Sequence, residues 1–264
     1  MARSYLMCPP TYFRVDYEIN DWMHQNDPVD IAKARVQWES VRDIYLKLGH
    51  SVLFIEPHEA VPDLIFTANA GLILDGKVLL SNFKYEERQP ETAINREWFE
   101  NHSYSKVKVT ENVWEGEGDC LVANGWIFAG YGFRSDKASH TEVAKFFDRE
   151  VISLKLVDPR FYHLDTCFCP LDARTIMYFP SAFDDASRKK IKDSGLMLIE
   201  AEESEAAAFG LNAVSDGHNV IMSSQAPALA GDLRKRGYNP IMVDISEFKK
   251  SGGGVKCITL ELRT

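Results

Sequence analysis

Asn69-Ala-Gly-Leu-Ile-Leu-Asp-Gly-Lys-Val-Leu-Leu-Ser-Asn-Phe83 sets an Asp-Gly pair between two short apolar runs. That is a strong hairpin signal, because Asp-Gly adopts the positive-φ turn whose twist matches the flanking strands. The same pattern returns in Asp119–Gly132 around Asn124-Gly125 and in Asn212–Ser224 around Asp216-Gly217. Asp165–Pro180 repeats it with Asp172-Ala-Arg-Thr in the turn, and Cys257–Arg263 supplies a fifth copy cut short by the end of the chain. The residues that open the copies are Asn69, Asp119, Asp165, Asn212 and Cys257, at intervals of 50, 46, 47 and 45 residues. Self-similarity at such a period marks a repeat architecture.

Each hairpin is preceded by a helical pattern and a short strand-like run. In the stretch from Pro28 to Gly49, Ile31, Ala34, Trp38, Val41, Tyr45 and Leu48 recur at spacings of three and four, which describes one apolar helix face closed by glycine. Weaker helical patterns near 88–101, 140–149, 184–194 and 226–236 lead into strand-like runs at 106–109, 151–156, 196–201 and 240–245. The first helix leads into 51–55. Five units of strands plus one helix, closed in a ring, protect strand edges by radial repetition. The N-terminal strand near Tyr5–Met7 is placed to complete the truncated fifth unit. The expectation is an α/β, five-bladed pseudo-symmetric propeller, with residues 1–264 as a single domain. Rotation about one axis would then bring the five openers to one central cavity.

Composition narrows the function. A formal net charge of −9 argues against nucleic acid, which needs a basic surface, and suits a cationic small substrate. No run of about 18 apolar residues suggests a membrane span, and the N-terminus lacks the apolar core of a signal peptide. Five cysteines make an odd count in a chain too long to need stapling, as expected of buried thiols in a cytoplasmic protein. No phosphate-cradling glycine loop and no Gly-x-Ser-x-Gly elbow occurs, so no nucleotide cofactor is expected. Cys167-x-Cys169 has no second ligand pair at finger-like spacing, and no metal is expected either.

Three clusters could carry chemistry. Cys257 follows Gly252-Gly-Gly-Val-Lys256, where glycines let the backbone bend close to a ligand and a lysine stands next in sequence. His163 and Asp165 would share a face if they lay on a strand, one as general acid/base and the other as an orienting or binding charge. Glu115-Gly-Glu-Gly-Asp119 packs three carboxylates into five residues, and any of the three could polarise His163 or meet a guanidinium. The acidic cluster Glu200–Glu205 reads as a solvated face.

Asp63-Leu-Ile-Phe-Thr-Ala-Asn69, Glu115–Asp119, His163-Leu-Asp165 and Gly-Gly-Val-Lys-Cys257 together resemble the guanidine-modifying (amidinotransferase, or pentein) superfamily. The segments 7–23, 66–72, 129–135 and 161–171 are more closely similar to the catalytic domain of cyanobacterial-type arginine dihydrolases, and also resemble dimethylarginine dimethylaminohydrolases. The resemblance spans nearly the whole chain and implies the propeller already read from the repeats. It implies Cys257 as nucleophile, His163 as acid/base and Glu115 as the carboxylate partner of the histidine, with Glu117 and Asp119 as competitors. It implies Asn69, Asp63, Asn20, Arg134, Asp119 and Asp165 as substrate-binding residues. The activity implied is hydrolysis of an arginine-type guanidinium through a covalent thiouronium, ending at ornithine in a dihydrolase. Alternatives are a dimethylarginine hydrolase or deiminase ending at citrulline, an amidinotransferase, or a non-catalytic propeller that only binds. Neither a nucleic-acid nor a membrane partner is expected, and homo-oligomerisation stays open. In dihydrolases the domain is fused to a further C-terminal region that these 264 residues do not include.

Overall fold

The computed structural model describes residues 2–263. Its strands form five three-stranded sheets. The first contains β1 (Ser4–Met7), β2 (Ser51–Phe54) and β15 (Leu260–Glu261). The others follow in chain order: β3 (Gly71–Leu74), β4 (Lys77–Leu80) and β5 (Lys106–Val109); then β6 (Cys120–Ala123), β7 (Trp126–Tyr131) and β8 (Val151–Lys155). The last two are β9 (Phe168–Pro170), β10 (Thr175–Tyr178) and β11 (Met197–Glu200), and β12 (Val214–Ser215), β13 (Asn219–Ser223) and β14 (Asn239–Val243).

Every sheet has one antiparallel and one parallel pairing. A parallel neighbour needs a crossover, and a helix provides it each time. These are α1 (Ile31–Lys47), α2 (Glu91–Glu100), α3 (Ser139–Phe147), α4 (Asp185–Asp193) and α5 (Pro227–Lys235). The middle strands β4, β10 and β13 are almost wholly buried, which is why they read as unbroken apolar runs. The outer strand β5 alternates exposed and half-buried residues and reads Lys-Val-Lys-Val. Asp75 and Gly76 both take positive φ, as do Asn124 and Gly125, so the turn chemistry that marked the repeat is used as expected.

Closure occurs through the first sheet. Tyr5 and Leu6 pair antiparallel with Glu261 and Leu260, so the N-terminal strand completes the last unit. The five-bladed α/β ring anticipated from the repeats is the observed fold. Trp38, Val41 and Tyr45 of α1, Phe99 of α2, Val143 and Phe147 of α3, Ile191 of α4 and Leu233 of α5 bury against the sheets.

Two local expectations need correction. Glu200, Glu202 and Glu203 are exposed as a solvated face requires, but Glu205 is buried, and its carboxylate accepts from the Leu229 N–H at 2.8 Å in the first turn of α5. A buried helix start leaves orphan donors, and a carboxylate satisfies one of them. His163 and Asp165 do not lie on a strand; His163 precedes a 3₁₀ turn over Leu164–Thr166 that contains Asp165, and the two side chains meet different partners.

Candidate active site

The five openers Asn69, Asp119, Asp165, Asn212 and Cys257 are all at most 2% exposed and lie around the ring axis. Neighbouring units are tied through them. Asp119 Oδ1 accepts from the Leu164 N–H at 3.1 Å, and Asn212 Nδ2 donates to the Asp165 carbonyl at 3.0 Å. Asn212 Oδ1 accepts from the N–H groups of Lys256 and Cys257 at 3.0 and 3.2 Å. Strand starts at an axis have no ladder partners, so polar side chains are needed there to satisfy buried backbone groups. The repeat of polar openers is thus a requirement of the fold.

Cys257 opens the fifth unit. Its Sγ receives the Asn212 amide at 3.1 Å and faces Asp165 Oδ2 at 3.3 Å. Burial, and after it the Asp165 charge, pushes the thiol well above its ordinary range. Burial likewise raises the Asp165 carboxyl to about 7, against the pull of Lys256. Near neutrality the ligand-free thiol is therefore held protonated, while the Asp165 carboxyl is close to its own midpoint. Lys256 does not activate the thiol directly, because its Nζ turns away to Glu117 Oε2 at 2.6 Å.

The three carboxylates of Glu115–Asp119 separate because the segment makes one helical turn, Gly116–Asp119. Glu115 Oε2 meets His163 Nε2 at 2.8 Å and Arg134 Nη1 at 3.0 Å. Burial alone would raise the Glu115 carboxyl, but Arg134, His163 and Arg88 outweigh it and hold the group below the usual carboxylate range. Glu117 points elsewhere and pairs with Lys256 and Arg263. Asp119 accepts from Ser135 Oγ at 2.6 Å, and burial raises it to about 6. Among these three, the histidine's hydrogen-bond partner is Glu115. Asp119 ties backbone and Ser135 together and makes no hydrogen bond to His163 among the described residues.

Gly118 shows how tightly the histidine and Asn69 are set. A Cβ there would lie 2.2 Å from Asn69 Nδ2 and 3.2 Å from His163 Nδ1, so only glycine fits. A Cβ on Gly253 would likewise lie 2.2 Å from the Phe66 ring, so the glycine run before Cys257 is required at least there by packing.

Asn69 Oδ1 accepts from Arg88 Nη1 at 2.9 Å. Arginine has no acceptor, so the amide oxygen must face it, and Nδ2 is left towards the Glu115 carbonyl at 3.4 Å. Arg88 is itself buried, paired with Glu91 at 2.7 Å and stacked over Phe83. Asp63 accepts from Tyr17 at 3.0 Å and Ser251 at 3.2 Å, and burial raises its carboxyl. Asn20 donates to the Ser251 carbonyl at 3.2 Å. Arg134 lies between the Tyr85 and Tyr162 rings, each 4.7 Å away, and holds the Ile19 carbonyl at 3.1 Å. The segment carrying Tyr17, Ile19 and Asn20 thus crosses the site and is fastened to it by these bonds.

All nine residues singled out from the sequence fall in or beside this buried cluster. Arg88, Glu91, Tyr17, Tyr162 and Ser251 belong to it too and carried no motif; Asn212 stood out only as a repeat opener. The pair Arg88-x-x-Glu91 at a helix start was the one available signal for Arg88. Cys167 and Cys169 are buried, and their thiols donate to carbonyl oxygens of Leu164 and Ala213. Among the described residues, no group of three or more His, Cys, Asp or Glu is placed to hold a metal ion, and no helix is long and apolar enough to cross a membrane.

A family model described as N,N dimethylarginine dimethylhydrolase, eukaryotic, matches residues 9–264. The chain belongs to this family. An N(G),N(G)-dimethylarginine dimethylaminohydrolase of Mycobacterium tuberculosis is 44% identical over 99% of this chain and 86% of its own length. The bifunctional arginine dihydrolase/ornithine cyclodeaminase AgrE of a Nostoc species is 42% identical over 98% of this chain, which spans 37% of that longer protein. The substrate-bound N-terminal domain of ArgZ, an arginine dihydrolase of cyanobacteria, superimposes with a TM-score of 0.93 at 38% identity, covering 99% of this chain and 98% of that one. Membership in the dimethylhydrolase family makes the chain a hydrolase of guanidino carbon–nitrogen bonds with a small-molecule guanidino ligand.

The Asp165 charge beside the thiol has a testable consequence. In Asp165→Asn, removal of the negative neighbour favours the thiolate, so the Cys257 titration midpoint should move down by about one to two units. Ultraviolet thiolate absorbance across pH, against Cys257→Ser as blank, checks the shift. An unchanged or higher midpoint would mean that burial alone sets the thiol.

Proposed function

We propose that the chain is an arginine dihydrolase that converts arginine to ornithine, carbon dioxide and two molecules of ammonia through Cys257. A guanidinium entering beside Cys257 favours the thiolate, and Asp165 Oδ2 at 3.3 Å is in reach of the thiol proton. The thiolate attacks the guanidinium carbon, a carbon–sulfur bond forms, and ammonia leaves with a proton from His163. Glu115 holds Nε2 of that ring and leaves Nδ1 for the substrate. His163 then takes a proton from water, whose oxygen adds to the same carbon, and the carbon–sulfur bond breaks to give a ureido group. Arg88 and Arg134 suit the substrate carboxylate, since guanidinium forks match carboxylates. Asp63 and Asn20 would line the α-amino end.

The single observation that carries the two-step reading is the orientation of Asn69. With Oδ1 held by Arg88, Nδ2 turns one N–H to the Glu115 carbonyl at 3.4 Å and has its second N–H for the substrate. A ureido oxygen can accept from an amide and gains nothing from an aspartate. Citrulline can therefore be held for a second attack by Cys257, in which the second ammonia leaves and hydrolysis releases a carbamate that falls to ornithine and carbon dioxide. Asn69→Asp tests this. The variant should release citrulline, with the ornithine-to-citrulline ratio falling by about tenfold or more, as expected where a lost or mispaired polar contact discriminates ligands. An unchanged ratio would remove Asn69 from the argument. The 44% identity to the M. tuberculosis enzyme favours a second reading, hydrolysis of dimethylarginine to citrulline and dimethylamine; offering both substrates in competition separates the two.

A further inference from the structure

Glu91 is 1% exposed and takes no part in the chemistry above. It is the first residue of α2, where a helix start favours a carboxylate. Its N–H donates to the Arg88 carbonyl at 3.0 Å, so one turn of chain carries both residues. Their side chains meet fork to fork: Arg88 Nε donates to Oε1 at 2.7 Å and Nη2 to Oε2 at 2.9 Å. Such a pair fixes direction as well as distance.

The other donors of Arg88 are then accounted for. Nη2 also donates to the Asp63 carbonyl at 3.3 Å, and Nη1 donates to Asn69 Oδ1 at 2.9 Å. Four of the five N–H groups are used, and the remaining one belongs to Nη1. With its Nε–Nη2 edge closed by Glu91, Arg88 has only the Nη1 end to turn towards Asn69. A second tie runs from the same helix start. Thr92 Oγ1 donates to the Ser81 carbonyl at 2.9 Å, and Ser81 Oγ donates to the Asn69 carbonyl at 2.5 Å. The start of α2 thus reaches Asn69 twice, once at its backbone and once at its side chain.

The side-chain tie decides what Asn69 presents. A carboxamide has an acceptor at one end and donors at the other, and a half-turn exchanges them. Arg88 offers only donors, so it selects Oδ1 and turns Nδ2 the other way. The Ser81 tie holds the main chain alone and leaves that half-turn free. A buried guanidinium deprived of its carboxylate is costly, so Arg88 would turn to another acceptor if Glu91 lost its charge, and Oδ1 would be released.

We propose that Glu91 is a positioning residue for the hydrolysis, setting the Asn69 amide through Arg88. This rests on Asn69 touching the substrate, as proposed above, but not on how far the reaction runs. Glu91→Gln, Asn69→Ala and the double variant test it, with kcat and KM measured on whichever of arginine and dimethylarginine the parent hydrolyses faster. Glu91→Gln should lower kcat by about tenfold, as a displaced contact does. Asn69→Ala should lower it by about 10²-fold, the loss of a donor aimed at developing charge. The double variant should match Asn69→Ala within about twofold, because Glu91 then has nothing left to position. Glu91→Asp keeps the charge and guards against misfolding of the neutral variant; its kcat should lie between those of the parent and Glu91→Gln, and its loss should also vanish beside Asn69→Ala. A loss that persists on top of Asn69→Ala would make Glu91 a purely structural residue and overturn the proposal. A raised KM with kcat unchanged would overturn it too, since Glu91 would then serve Arg88 only as a binder of the substrate carboxylate. If Asn69→Ala keeps the parent kcat, Asn69 does not touch the substrate, and its assignment falls together with the proposal.

Discussion

Replacing Cys257 by serine is expected to lower turnover on the order of 10⁴-fold or more while leaving the melting temperature nearly unchanged. The two side chains have almost the same shape, so the packing around Asn212 and Asp165 survives. What changes is acidity. A hydroxyl is far harder to ionise than a thiol. The Asp165 carboxyl beside it, which burial has raised to about 7, is far too weak a base to make up the difference. A guanidinium arriving beside the hydroxyl cannot close so large a gap. Steady-state rates and thermal melts on the same preparation check both halves of the expectation. Retained turnover would mean that attack comes from water or another group.

The second large effect belongs to Glu115→Gln. The carboxylate lies at the centre of a buried triad with His163 and Arg134, and no water-facing route relieves it. A glutamine keeps the size, but it withdraws the charge from Arg134 and the acceptor pair from two donors. Breaking a buried ion pair from one side costs about 3–5 kcal/mol, so the melting temperature should drop by several degrees. Loss of the group that orients a general acid/base should lower kcat by about 10²–10⁴-fold. Glu117→Gln and Asp119→Asn serve as comparisons. Both disturb buried partners and should destabilise the fold. Glu117 pairs with Lys256 and Arg263 and not with the histidine, so the pH profile of kcat should keep its shape in Glu117→Gln. It should change in Glu115→Gln and, through the charge that Asp119 sets near His163, in Asp119→Asn.

The ring was readable because its local signals agree. Hairpins recur at intervals of 45 to 50 residues, three of them on Asp-Gly or Asn-Gly turns, the middle strands are mostly apolar, and the first helix announces a clear apolar stripe. The position of the proposed nucleophile stands out for the same reason: Cys257 stands where the other units carry a polar opener. What could not be read is how the carboxylates of Glu115–Asp119 divide. A single helical turn sends them in three directions, and five residues of sequence contain no information about which partner lies where. The strand assumed for His163 and Asp165 failed because a buried 3₁₀ turn has no periodicity of its own. Arg88 carried only the faint signal of Arg88-x-x-Glu91, because its contact with Asn69 spans two elements joined only in three dimensions. Even the openers needed the structure. Asp119 serves mainly to satisfy the Leu164 N–H and Ser135, so its likeness to the others reflects the ring's need for polar axis groups.

The most direct measurement is mass spectrometry of the products after incubation with arginine labelled at the guanidinium carbon, with Cys257→Ser as control. The account predicts unlabelled ornithine, labelled carbon dioxide and two ammonia molecules for each arginine consumed, without accumulating citrulline. Labelled citrulline as the end product, with one ammonia released, would contradict it.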